Sequence, residues 1–531
     1  VDLLALGRPP RYAHPLLRTA VYDHLPAGVR SHMHQRASDI LTAERADPEA
    51  VAAHLLRSEA AFSGETISRL RVAAPLALRR GAPEAAVSYL RRALNEGADT
   101  PTQTAVLAEL GRAELAAGDP AAHGHLMRAL AGSSMPPERA AIHGDLSVAV
   151  LVTGDQRGCR DLLDEAFREL RGHDPEASAG LECIVAGMSA VDPRFGSSID
   201  KVYPRLRELA GGDTPTAQLA RVTLGLALSW CKGDRDGVLR CVEGGFDWNG
   251  LVDGGSSHSF GVTWSMQALL GIDELARAAT WCARVMEEGA AEGNPYTVLN
   301  GLVFKGYAEF RMGLLADAEA AGTSALEQSR LYGGFWVPVV SGFLAETLLE
   351  RGRQQAAYDL IEGITLPRGV VGEVVDVIFL EARGRLRCAR GWWKRGVEDL
   401  RESGRLCEVM GNQNPILPPW RASLAAALAQ DDKDEALQLA EYDLANARRS
   451  KIPRAIGIAL RTLAGVYQSD EAIDLLRVAV ATLERSPAAL DLARALTDLG
   501  SALRRQGHRV EAREPLREAL EIAARCGAVP L

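Results

Sequence analysis

The fold of this chain is decided by residues 496–520, which read LTDLGSALRRQGHRVEAREPLREAL. Gly500 lies on the apolar face of one predicted helix, and Gly507 follows seven residues later, where that helix must end. Ala512 and Leu516 then begin the apolar stripe of a second helix. A small residue is needed where two helices approach closely, and a glycine at a helix end can satisfy the last carbonyls in the left-handed conformation. The stretch therefore predicts a helical hairpin.

The same hairpin recurs along the chain. The Gly-x6-Gly pair is repeated three times upstream, at Gly111 and Gly118, at Gly306 and Gly313, and at Gly384 and Gly391. Looser copies keep only the turn position or its spacing. The predicted turns are at 81, 118, 154, 196, 233, 271, 313, 352, 391, 432, 469 and 507.

The spacing of small residues in these hairpins resembles the tetratricopeptide repeat, although the mean interval of about 39 residues exceeds the roughly 34 of that unit. We therefore predict an all-α fold, a right-handed α-solenoid of about twelve tetratricopeptide-like hairpins that forms one superhelical domain over residues 65–531. Residues 1–64 precede this domain and are predicted to include linker helices. Any β-structure is expected only near Leu3 to Arg11.

Composition limits the classes of function. Aromatic residues are only 5% of the chain, and the net charge of −9 argues against a nucleic-acid surface along its whole length. The eight cysteines include no C-x2-C pair, and no apolar run approaches the roughly 18 residues of a membrane span. These features favour isolated thiols in a reducing, cytoplasmic protein with no metal site. No motif of an enzyme accompanies them.

The first 60 residues carry the most specific pattern. Residues 12–18 read YAHPLLR and residues 46–56 read ADPEAVAAHLL. They resemble the large ATP-binding regulators of the LuxR family. The resemblance implies a signal-transduction ATPase module before a winged helix with an HPL motif, then a tetratricopeptide-like superhelix and a DNA-binding helix-turn-helix. By this resemblance, residues 1–64 hold the end of the winged-helix segment and linker helices.

Two parts implied by that resemblance are missing from the sequence. There is no G-x4-G-K-[ST] motif to cradle phosphates and no helix-turn-helix before Leu531. Because the chain starts at Val1 within an apolar segment, we expect it to be a fragment of a longer protein. ATP or ADP and DNA would then be bound only by parts of the parent protein outside this chain, and the chain itself is not expected to be an enzyme.

Three functions are compatible with these observations. The favoured one is the regulatory sensor arm of an ATP-dependent LuxR-type regulator, which binds a small-molecule inducer or regulatory protein and controls its own ATPase module. The alternative is a free-standing tetratricopeptide-like scaffold for protein–protein interaction. An enzyme with an all-α cavity has no motif in its favour.

His14 is the candidate for nucleotide binding. By resemblance, a winged-helix histidine in related ATPases contacts the phosphates of the bound nucleotide, and an imidazole N–H can make a charge-assisted hydrogen bond to a phosphate oxygen. The alternative is that His14 and Pro15 only begin a helix. His32 and His34 point to different sides of a helix, so one exposed and one packed ring is expected.

Aromatic residues are concentrated between Trp230 and Trp420, a window that holds 19 of the 28 in the chain, including all eight tryptophans. Rigid amphipathic rings give large contact areas at low entropy cost, so the concave groove near residues 230–340 is a candidate effector site. The alternative is that the rings fill wider gaps around the glycine-rich connection at 244–255. The candidate ligand-binding residues are Trp248, Trp264, Tyr296, Tyr307 and Trp336.

Overall fold

The computed structural model describes the chain except at residues 1–3, 6–10, 13, 98, 153–154, 193–198, 244–259, 292–294, 333, 367–373, 468–470 and 531. It begins with two short antiparallel strands, β1 (Leu4–Ala5) and β2 (Arg11–Tyr12), in which Leu4 pairs with Tyr12. Every other regular element among the described residues is a helix. Strand structure is therefore confined to the N-terminal end, where the sequence placed it, and the all-α class is confirmed.

Twenty-seven helices follow in the described part of the chain. The first three precede the repeats and are α1 (Pro15–His24), α2 (Ala27–Ala43) and α3 (Pro48–Leu55). The others form twelve consecutive pairs: α4 (Gly64–Arg79) and α5 (Pro83–Leu94), α6 (Thr100–Ala116) and α7 (Ala122–Gly132), α8 (Pro136–Val152) and α9 (Gln156–Leu170), α10 (Pro175–Val191) and α11 (Ile199–Leu209), α12 (Pro215–Ala227) and α13 (Arg235–Glu243), α14 (Phe260–Gly271) and α15 (Leu275–Ala291), α16 (Pro295–Met312) and α17 (Leu315–Tyr332), α18 (Val337–Glu350) and α19 (Gln354–Glu362), α20 (Val374–Ala389) and α21 (Trp393–Val409), α22 (Trp420–Leu428) and α23 (Lys433–Ser450), α24 (Pro453–Tyr467) and α25 (Glu471–Leu483), α26 (Ala489–Arg505) and α27 (Arg513–Cys526). A π-helical turn (Leu228–Lys232) extends α12, and a 3-10 turn (Gly334–Trp336) precedes α18.

The hairpin at the C-terminal end has the predicted geometry. Gly500 packs so closely on the second helix that an added Cβ would lie 2.4 Å from Leu516 Cγ, which no side chain could tolerate without a shift. Gly507 ends the first helix with a φ of 89°, in the left-handed region. Nine of the predicted turn positions lie in the described part of the chain, and eight of these nine fall between the two helices of a pair. Turn positions 154, 196 and 469 lie outside the described residues.

The turn predicted at Gly271 is wrong in its detail. Gly271 is the last residue of α14, and the residue with the left-handed backbone is Asp273, whose φ is 66°. An added Cβ at Gly271 would lie 1.9 Å from Ser229 Oγ. This glycine therefore allows a neighbouring repeat to approach and does not make the turn.

The chain divides into two compact units. The first comprises Val1 to Ala149 with residues 290–294, and the second comprises the remainder. In the first unit, one core cluster contains Val51 and Leu55 of α3 together with Ile67 and Leu70 of α4. The core therefore continues across residue 64, where the sequence suggested a domain boundary. A single superhelix over residues 65–531 stays a prediction.

In the second unit, repeats that are far apart in the sequence contact one another. Asn414 Nδ2 donates hydrogen bonds to the carbonyl oxygens of Ser229, at 2.8 Å, and Gly271, at 2.7 Å. Arg311 donates to the carbonyl oxygens of Leu270, at 2.7 Å, and Ile416, at 2.9 Å. These bonds join residues up to 185 positions apart. These hydrogen bonds therefore bring distant repeats of this unit into direct contact.

Candidate ligand-binding cavity

The second unit contains a cavity of about 360 Å³. It is lined mainly by the first helices of successive pairs, which are α18, α20, α22, α24 and α26, with two residues of α21 and one of α16. The first helices thus line a concave space, as expected for such repeats. This cavity lies further along the chain than residues 230–340, for which the aromatic pattern predicts an effector site.

One wall of the cavity is a buried chain of ion pairs. Arg454 Nε donates to Asp491 Oδ2 at 2.7 Å, and Arg494 Nη1 lies 3.1 Å from Asp491 Oδ1. Arg494 also pairs with Glu350 of α18, which is 144 positions away. Although burial opposes ionisation of Asp491, Arg454 and Arg494 lower the pKa of its carboxyl group. Asp491 therefore carries its negative charge inside the protein at neutral pH.

A second set of charges borders the same cavity. Arg385 Nη1 lies 2.6 Å from Glu346 Oε1, and Glu381 is held by the Ser423 hydroxyl, which donates to Glu381 Oε1 at 2.5 Å. Burial raises the pKa of Glu346 to about 7, against the opposing effect of Arg385, and the charge of Glu381 adds to the rise. Glu346 is therefore a buried carboxyl group whose ionised form is disfavoured by burial and favoured by Arg385.

One polar atom of the wall has no partner among the described residues. Arg454 is 8% exposed, and its Nη1 forms no hydrogen bond. A buried donor without an acceptor is costly in a folded protein, so such atoms are uncommon and identify places where an acceptor is missing. The lining also contains apolar side chains, including Phe310, Leu349, Leu386 and Ile458. The cavity therefore combines one unpartnered guanidinium nitrogen with apolar lining residues.

A signal for this wall exists in the sequence. Arg454 and Asp491 are 37 positions apart, and so are Arg461 and Asp498, whose Nε and Oδ2 atoms lie 2.6 Å apart. That interval is about one repeat, so each pair occupies equivalent places on neighbouring first helices. Pairs of opposite charges separated by one repeat therefore predict this wall from the sequence, whereas the aromatic pattern predicts a site near residues 230–340.

Three of the predicted aromatic residues pack against other parts of the second unit. Trp264 is buried against α10, where an added Cβ at Gly187 would lie 2.4 Å from its Cη2 atom. Trp336 is buried with its ring edge-on to Phe304, at a centroid distance of 5.2 Å. Tyr307 stacks beneath the Arg311 guanidinium, whose Cζ is 4.4 Å from the ring centroid.

The remaining two residues of the predicted effector site are Tyr296 and Trp248. Burial raises the pKa of the Tyr296 hydroxyl to about 12, and Trp248 lies outside the described residues. The space beside Tyr307 and Trp336 is an apolar cavity of about 40 Å³, far below the roughly 300 Å³ of a small ligand pocket. Packing accounts for the burial of these rings, and their role in ligand binding stays a prediction.

His14 begins α1. Its Nδ1 accepts a hydrogen bond from the backbone N–H of Leu16 at 3.2 Å, and its side chain is exposed. This is the helix-capping arrangement that the sequence also allowed, and the nucleotide role of His14 stays a prediction.

The histidine pair in α2 has one exposed and one packed ring, as expected. His32 is exposed, whereas His34 is partly buried and lies 2.8 Å from both Tyr22 Oη and His54 Nδ1. Where the structure describes the chain, no group of three or more His, Cys, Asp or Glu side chains is arranged to hold a metal ion. All eight cysteines are free, and seven of them are buried. None of the described helices has both the length and the apolar character needed to cross a membrane.

Comparison with known proteins does not identify a family. No family model matches the chain, and no curated protein matches it. Among solved structures, a Rap protein complexed with competence and sporulation factor has a TM-score of 0.48 and 12% identity, and the match covers 73% of this chain and 99% of that one.

Two further solved structures are similar at a lower level. The Cut9–Hcn1 heterotetramer of APC/C has a TM-score of 0.35 and 15% identity over 86% of this chain and 87% of that chain. The human IFIT1 dimer with PPP-AAAA has a TM-score of 0.38 and 14% identity over 86% of this chain and 91% of that chain. Similarity at this level identifies no ligand or partner. The helices of the chain itself establish a tetratricopeptide-like helical-repeat scaffold.

Proposed function

We propose that this chain is the regulatory sensor arm of an ATP-dependent LuxR-type regulator of the cytoplasm, in which the second unit binds an inducer or regulatory protein. The parent protein would bind ATP or ADP and DNA through modules outside residues 1–531, with His14 close to the nucleotide. The single observation that supports the sensor role is the cavity of about 360 Å³ with charged residues in its wall.

The chemistry of the wall favours a sensor over an inert scaffold. Replacing buried ion pairs by apolar residues of similar size often leaves stability unchanged or increases it, so stability alone gives little reason to keep charges beside a cavity. The pair between Arg494 and Glu350 also joins helices α26 and α18. A ligand that competes for Arg494 would loosen that connection, which is a route from binding to a change in packing.

The first test is the parent reading frame. A P-loop motif upstream and a helix-turn-helix downstream would support the sensor arm, whereas stop codons immediately flanking the chain would favour the scaffold. In such a parent protein, Arg494→Gln should raise the basal ATPase rate about fivefold or more if this unit restrains the switch, because allosteric coupling is typically of that size. Arg517→Gln, which removes only an exposed ion pair in α27, is the matched control. Equal basal rates in both variants and in the natural sequence, with native circular dichroism, would contradict the sensor role.

The alternative, a protein–protein scaffold, is favoured by a groove on the second unit. The Arg421 guanidinium lies over Trp420, with its Cζ 4.3 Å from the ring centroid, and over Tyr442 at 4.9 Å. Tyr442 is about half exposed, and the groove of about 560 Å³ also includes Glu408 and Glu435. Exposed aromatic rings are typical of protein interfaces. Loss of partner binding in Tyr442→Ala, with normal ATPase regulation of a parent protein, would support this alternative.

A further inference from the structure

We infer that the cavity of the second unit binds a small amphipathic monocarboxylate, whose carboxylate is held by Arg454 and whose apolar part lies against Phe310, Leu386 and Ile458. This inference rests on the proposed sensor function and specifies its ligand class. It is carried by the unpartnered guanidinium nitrogen and by the size and lining of the space.

The unpartnered nitrogen indicates an anionic acceptor. Arg454 is more than nine-tenths buried, its Nε is used by Asp491, and its Nη1 has no acceptor among the described residues. A guanidinium group presents donors in a planar fork that matches a carboxylate, and hydrogen bonds between charged groups are stronger than those between neutral ones. A carboxylate oxygen near Nη1 would satisfy this buried donor.

The charge of the wall limits the ligand to at most one negative charge. The cavity is lined by four arginines and three acidic residues, which are Arg385, Arg454, Arg461, Arg494, Glu346, Glu350 and Asp491. Asp498 pairs with Arg461 at 2.6 Å, so the charges of the wall are balanced. A dianion such as a phosphate monoester would add two charges to this balanced wall, whereas a monoanion adds one, beside the unpartnered Nη1 atom of Arg454.

The rest of the lining specifies an apolar body. The apolar part of the lining is contributed by Phe310, Leu349, Leu386, Leu400 and Ile458. The volume of about 360 Å³ is at the lower end of the range of about 300–1,000 Å³ for small-molecule pockets. A medium-chain fatty acid or an arylalkanoic acid suits both the size and the lining, and a folded polypeptide segment does not.

The experiment uses the chain of residues 1–531 with octanoate and 4-phenylbutyrate as probes. Octanamide and octylamine share the alkyl body of octanoate without its negative charge. Thermal unfolding and titration calorimetry at pH 8 should show a rise in Tm and saturable binding with both carboxylates. The amide and the amine should bind at least about tenfold more weakly, because they lose a charge-assisted hydrogen bond.

Two pairs of variants locate the site. Ala426 lines the cavity and is exposed, so Ala426→Trp should occupy the space without disturbing the core and abolish octanoate binding. Ala445, an exposed alanine of α23 outside the cavity, gives the matched control Ala445→Trp, which should bind normally. Arg454→Lys keeps the charge but loses the fork and should weaken octanoate binding about tenfold. Arg517→Lys, at an exposed ion pair, should have no effect.

The outcomes separate the ligand class from the sensor function. The inference is overturned if neither carboxylate binds, if octanamide binds as well as octanoate, or if Ala426→Trp binds octanoate like Ala445→Trp. If another compound activates the parent protein and only Ala426→Trp abolishes that activation, the sensor function stands and the ligand class is wrong. If octanoate binds as expected but never changes the parent ATPase rate, the site stands and the proposed regulation fails.

Discussion

Two regions of the second unit use large side chains in opposite ways. Around α16 and α18, rings such as Trp336 and Phe343 are buried and leave a space of only about 40 Å³. Around α24 and α26, Arg454 and Asp491 are equally buried but border a cavity of about 360 Å³. In this unit the aromatic cluster therefore lies where repeats pack with little space between them, whereas the ion pairs join helices that border a larger space. Of the two, the charged region is the better place to look for a ligand.

The largest expected effect is at Phe343, in the aromatic region. Its ring is 1% exposed, and a Cβ added to Gly306 or Gly322 would approach it within 3.1 and 2.9 Å. Phe343→Ala should reduce the free energy of unfolding by about 3–5 kcal/mol, because it leaves a cavity in tightly packed surroundings. Urea unfolding followed by circular dichroism measures this. A loss below about 1 kcal/mol would mean that the aromatic region is loosely packed, and the comparison would fail.

Removing one partner of the buried ion pair between Arg454 and Asp491 should reduce the free energy of unfolding slightly less than Phe343→Ala does. Arg454→Met leaves the buried Asp491 with Arg494 alone, so we expect a loss of about 3 kcal/mol in the free energy of unfolding. The double variant Arg454→Met with Asp491→Leu should recover most of that loss, because no uncompensated charge is left. Urea titrations of both single variants and the double variant give the coupling. A double variant as unstable as the sum of the single variants would show that the pair is not coupled.

The pH dependence of stability tests Glu346. Its folded-state pKa, about 7, is above the ordinary value, so the folded protein holds this proton more tightly than the unfolded chain. Stability associated with Glu346 is therefore present at low pH and is lost as pH rises through 7, by about 2 kcal/mol between pH 5 and 7.

In the variant Glu346→Gln this loss should be absent, and the exposed residue Glu514 provides the control variant Glu514→Gln. Unfolding free energies at pH 5, 6 and 7 measure the effect. An identical pH dependence in Glu346→Gln and in the natural sequence would show that Glu346 is not the buried titrating group of the wall.

The smallest effects are expected at the hairpin turns of the two regions. Gly391, between α20 and α21, has a φ of 86° and open space around it, so Gly391→Ala should cost only the left-handed backbone term of about 1–2 kcal/mol. Gly313, between α16 and α17, has a φ of 80°, and an added Cβ would lie 2.8 Å from Cys526 Sγ. Gly313→Ala should therefore be the more destabilising in thermal unfolding. The reverse order would contradict the tighter packing of the aromatic region.

Sequence reasoning worked where a feature depends on residues within one repeat. Gly500 and Leu516 meet inside a single hairpin, and Gly507 ends its helix by its own backbone conformation. The periodic spacing of such residues determines the helical pairs and nearly all of their turns. His14 likewise caps α1 through a neighbour two residues away.

The candidate cavity depends instead on the tertiary structure. Asn414 and Arg311 form hydrogen bonds with repeats more than 100 positions away, and Arg494 pairs with Glu350, which is 144 positions away. No local period specifies such partners, because they depend on how far the stacked repeats curl. The sequence determined the repeating helical hairpin, since its residues contact their own neighbours. Only the tertiary structure decided which first helices border a cavity and which pack closely together. The reason is that the small rotations between successive repeats add up to determine how far apart their first helices lie.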